Sequence, residues 1–73
     1  MNTTIYIYLL NEGIDVWRPT GAELIRDDIY IITGSSSDET EKWTFQTGDI
    51  VRCRQQNFSD GKTGLVAYEK VKN

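Results

Sequence analysis

Turn-forming clusters interrupt this chain so often that the runs between them have room only for short strands. Asn11-Glu12-Gly13, Arg26-Asp27-Asp28, Gly48-Asp49 and Ser59-Asp60-Gly61-Lys62 combine residues that tolerate a left-handed backbone or bond their own main chain. Residues 4–10 place Ile5, Ile7 and Leu9 on one face and Tyr6, Tyr8 and Leu10 on the other, which reads as a strand covered on both sides. Residues 15–20 contain Pro19, which cannot donate to a ladder, so an edge strand is expected, with Val16 inward and Trp17 and Pro19 outward. Residues 22–25 and 29–33 read as a hairpin with a polar tip, and a short helix over 21–26 is the rival reading. Trp43 and Phe45 share one face of a further strand at 43–45. Residues 50–58 and 64–71 form the last hairpin, with Gly61 and Gly64 as its turn glycines.

Five or six short strands in 73 residues favour an all-β barrel, because closing the sheet removes most of its edges. Residues 1–73 read as a single domain. A fold of this size buries only about 60% of the surface its unfolded chain exposes, so its core is small. The usual staples are missing: one cysteine, Cys53, makes no intramolecular disulfide, and with no histidine there is no soft ligand set for zinc. Aromatic side chains are expected to furnish the core, namely Trp17, Trp43, Phe45, Phe58 and the tyrosines. Residues 34–42 carry Ser35, Ser36 and Ser37 with Asp38, Glu39 and Glu41, and read as a flexible acidic loop; no calcium-loop pattern accompanies them. No apolar run is long enough for a membrane helix and the N-terminus has no signal-peptide pattern, so a cytoplasmic protein away from membranes is expected.

The order of a strand, a long connection and a Gly-Asp turn into a terminal hairpin resembles the SH3-like barrel superfold. More specifically, Tyr8-Leu9-Leu10-Asn11-Glu12-Gly13, Asp15-Val16-Trp17-Arg18-Pro19 and Thr47-Gly48-Asp49-Ile50-Val51-Arg52-Cys53 resemble a family of small uncharacterised bacterial proteins. The resemblance implies a fold and brings no activity or site residues. The chain departs from SH3 signalling domains, having no match to the paired-aromatic motif with which they grip proline-rich peptides.

Catalytic machinery is not expected. Histidine, the commonest general base, is absent, and the acids cluster in turns and in the serine-rich loop rather than facing each other across a cleft. Cys53 has Arg52 and Arg54 as chain neighbours, but in a strand they point to the opposite face, and Cys53 shares the side of Val51 and reads as core. No cofactor motif occurs. An interface anchor is the more promising feature: Trp17 lies beside Arg18 and the acids Glu12 and Asp15, and Trp and Arg are enriched at binding hot spots. The competing reading has Trp17 closing one end of the barrel. Tyr6 and Tyr8 either line a groove beside it or cover the barrel's outer side.

These features lead to a non-enzymatic module that binds a protein partner through Trp17, Arg18, Glu12, Asp15, Tyr6 and Tyr8. A second possibility, drawn from small size and a formal charge of −3, is an acidic inhibitor or immunity-type protein covering a basic partner such as a nuclease. A third is a nucleic-acid-binding barrel using Arg52, Arg54 and Tyr68 with Lys70 and Lys72, set against the plainer reading of a hydrated face with cross-strand pairs such as Arg to Glu69. The net charge opposes generic attraction to phosphate. Weak homodimerisation over the Pro-marked edge is compatible with each.

Overall fold

The computed structural model describes residues 2–10, 13–14, 16–34, 42–58 and 60–71. Five strands, β1 (Asn2–Tyr8), β2 (Trp17–Arg26), β3 (Ile29–Ile32), β4 (Ile50–Asn57) and β5 (Thr63–Lys70), follow one another around a closed SH3-like barrel. Neighbours in sequence pair antiparallel, and a parallel contact of Tyr6 with Val66 joins β1 to β5 and shuts the barrel. No helix among the described residues is long and apolar enough to cross a membrane.

The alternation in β1 acts as its sequence implies. Ile5, Ile7 and Leu9 are buried, and Tyr6 and Tyr8 face outward half-buried. With Ala22, Ile32 and Val51 they make an aliphatic interior, joined by Tyr30, Trp43, Cys53 and Ala67. Burying such side chains is the main force holding a fold of this kind together.

The segments expected as two strands at 15–20 and 22–25 are one, and no helix forms at 21–26. β2 runs through Pro19 without a break because its first half pairs only with β1, Tyr6 lying opposite Pro19, while its second half pairs with β3 from Ala22 onward. A proline is harmless where one side of the strand carries no ladder. The Gly21 carbonyl accepts the amides of Thr33 and Gly34 at 3.0 and 3.1 Å, tying the end of β3 back across this strand. Asp27, with φ +48°, turns β2 into β3 at the polar tip expected there. Beyond Ala22 the strand leaves the core, so Leu24 and Ile25 are exposed.

Residues 43–45 make no strand. Trp43 forms an isolated bridge with Leu9, and the Thr44 amide and hydroxyl both donate to the Tyr8 carbonyl, at 3.1 and 2.9 Å. The segment thus hangs on the end of β1 while Trp43 enters the core and Phe45 packs against it. The turn into β4 is built as expected: Gly48 has φ +89°, a conformation that suits glycine, and the Asp49 carboxylate accepts the Gln46 amide at 2.8 Å. The β4–β5 hairpin carries a bulge, since Arg52 faces Glu69 but Cys53 faces Ala67, skipping Tyr68. Ala67, opposite buried Cys53, faces the core, and Tyr68, the residue skipped, is exposed. Residues 35–41, most of the acidic serine-rich segment, lie outside the described residues.

Candidate functional site

Tyr6 and Tyr8 leave β1 on its outer face, and the antiparallel register sets Tyr8 opposite Trp17 of β2. The two rings meet edge to face, 5.2 Å between centroids and inclined at 67°. Phe58 comes from the connection between β4 and β5, which its own backbone closes: its amide donates to the Lys62 carbonyl at 2.7 Å and its carbonyl accepts the Gly61 amide at 3.0 Å. Its ring lies 5.1 Å from Tyr6 at 62° and 6.0 Å from Trp17 at 57°. A continuous strip Tyr8–Trp17–Phe58–Tyr6 therefore forms on the outside of the barrel from three separate segments. Such inclined pairs add about 0.5–1.5 kcal/mol each beyond area burial, enough to fix the rings in place.

Tyr6, Trp17 and Phe58 line a pocket of about 240 Å³ whose remaining walls are Asp60 and Lys62. The Asp60 carboxylate is oriented locally, its Oδ1 accepting the Lys62 amide at 3.0 Å. Gly64, expected as a turn residue, instead sits within β5 opposite Gln56 and forms the floor beneath the rings. A Cβ there would stand 2.7 Å from Tyr6 Cε1 and 3.0 Å from Phe58 Cε2, so only glycine lets both rings lie on the strand.

Trp17 thus belongs to an outer groove rather than to a closed barrel end, and Tyr6 and Tyr8 join it there. Phe58, expected in the core, is a groove residue too; Trp43 is buried as expected. Arg18 is exposed and, by strand alternation, belongs to the row of Val16, Thr20 and Ala22 rather than that of Trp17. Glu12 and Asp15 lie outside the described residues. Phe58, Asp60, Lys62 and Gly64 were not singled out as binding residues from sequence. The one local cue was an aromatic residue placed directly before a turn.

Away from the groove, Cys53 is buried as its strand parity required. Burial, and to a smaller degree the Asp28 carboxylate, pushes its thiol up to about 11. That makes it a poor nucleophile at neutral pH. Arg52 spans Asp28 at 3.8 Å and Glu69 at 3.6 Å, and Lys70 pairs with Asp49 at 3.4 Å. Arg54 lies 5.0 Å above the Tyr68 ring. The basic stripe therefore consists of cross-strand pairs at each described position; Lys72 lies outside the described residues.

No protein family, curated protein or solved structure matches this chain.

Proposed function

We propose that this chain is a non-enzymatic, cytoplasmic protein-interaction module that holds its partner against the strip of Tyr6, Tyr8, Trp17 and Phe58. One observation carries the reading: a barrel whose interior is largely aliphatic collects four aromatic side chains from three segments on one outer surface, around an open pocket. Half-buried aromatic rings ringed by charged groups are the composition of interface anchors, which bring large contact area with few rotors to immobilise. Asp60 and Lys62 are the charged neighbours beside these rings. The buried, protonated state of Cys53 agrees with a role that uses no thiol chemistry.

The test is affinity capture from the source cell's lysate with wild type and Trp17→Ala as baits, each first shown to unfold cooperatively. The reading expects a specific protein held by wild type and lost by the variant. Equal capture by both would remove Trp17 from the contact surface, and a variant that does not fold would make it a structural residue.

A further inference from the structure

We infer that two copies of this chain associate through the end of β2, residues 23–26 lying antiparallel to the same residues of the second copy about a two-fold axis. β2 is open in two places. Its first half, around Pro19, has no β3 neighbour, and a proline offers no N–H to an incoming strand. At its other end the ladder to β1 stops at Asn2 and Glu23. Among the described residues the main chain of Leu24, Ile25 and Arg26 therefore has a neighbour on the β3 side alone. Leu24 and Ile25 are both half exposed there. Adjacent exposed apolar side chains on an unpaired edge are a template for another strand.

That edge is complementary to itself. An antiparallel pairing centred between Leu24 and Ile25 sets Glu23 opposite Arg26 of the second copy, and the two-fold repeats the pair at the other end, with Leu24 and Ile25 opposed between them. Directly opposed residues share a face of the sheet, so Glu23 and Arg26 must point the same way. In a regular strand residues three apart do not. The irregular register of β2 removes the conflict: Glu23 lies opposite Ile31 and Arg26 opposite Ile29, two residues on one face of β3, with Ile25 as the extra residue. Glu23 and Arg26 are exposed, and the ion pairs of the described residues join other groups, Arg52 to Asp28 and Glu69 and Lys70 to Asp49. A second copy thus brings the matching charges in register by symmetry alone. Four residues a side make a small contact, so the dimer is weak and depends on concentration. Trp17 stands at the opposite end of β2, so the inference goes beyond the groove reading and does not depend on it.

The experiment is sedimentation equilibrium of the full chain from about 10 μM to about 1 mM, where a weak dimer forms from its monomer. Glu23→Arg and Arg26→Glu each place two like-charge contacts in the dimer, and each alone should weaken association at least about tenfold. An equimolar mixture of the two variants should associate as wild type does, because every opposed pair in a mixed dimer again joins one charge of each sign. That recovery also shows both variants to be folded, as expected of substitutions at exposed positions. Ile25→Asp should leave a monomer throughout. A wild type that stays monomeric up to 1 mM, single variants that associate undiminished, or a mixture that stays monomeric would overturn the inference. A dimer abolished by Trp17→Ala and untouched by the charge variants would also overturn it, placing the contact at the aromatic strip.

Discussion

Gly64 lies against the face of the barrel under Tyr6, so close that a single added methyl group would stand 2.7 Å from the tyrosine Cε1. The floor of the groove and its first wall are thus one contact between β5 and β1, the same two strands whose parallel pairing at Tyr6 and Val66 closes the barrel. Groove and closure share a residue.

Gly64→Ala must therefore displace Tyr6 and Phe58 together. Overpacking of this kind costs about 1–3 kcal/mol, and the expected result is a lowered urea midpoint with a weakened near-ultraviolet aromatic signal. An unchanged aromatic signal would show that the rings do not rest on this strand.

The two tryptophans should separate cleanly. Trp43 is buried in the core cluster, and truncating such a residue costs about 3–5 kcal/mol, comparable with the whole stability one small core supplies. Trp43→Ala is expected to be largely unfolded at room temperature by circular dichroism. Trp17→Ala loses two ring contacts on the surface and should still melt in a single transition.

Cys53 gives stability a dependence on alkaline pH. Its folded pKa, about 11, lies above the ordinary 9.0, so the unfolded chain gives up this proton first as pH rises. Stability from this group is complete below about pH 9 and falls toward pH 11. Urea midpoints measured from pH 8 upward should drop for wild type and drop less for Cys53→Ala. A thiol reagent at pH 8 should react slowly with the native chain and rapidly once urea unfolds it.

Arg52 should matter little to stability. Its ion pairs with Asp28 and Glu69 are long, and the partners are each about half exposed; exposed pairs of this kind are worth about 0–1 kcal/mol. Its Nε is buried without a hydrogen-bond partner, which further limits what the guanidinium contributes. Arg52→Met is expected to shift the folding free energy by less than about 1 kcal/mol, read from urea melts at low and high salt.

Local sequence already determined much of the barrel. The parity of Ile5, Ile7 and Leu9 sent them inward, and that of Val51 and Cys53 did the same in β4. Gly48-Asp49 and the loop around Gly61 set the turns that border β4, because each rule acts within a few neighbouring residues. Tertiary structure decided the rest. Pro19 lies inside a continuous ten-residue strand rather than ending one, since a ladder on one side only is a property of how β2 is shared between β1 and β3. The bulge at Tyr68 sets Glu69 rather than Tyr68 opposite Arg52, a register shift that no alternation reveals. Tyr6, Trp17 and Phe58 each carry an outward or turn-side position in the sequence, but only barrel closure brings their segments together over Gly64, because the outer faces of strands distant along the chain meet through long-range pairing and not through local pattern.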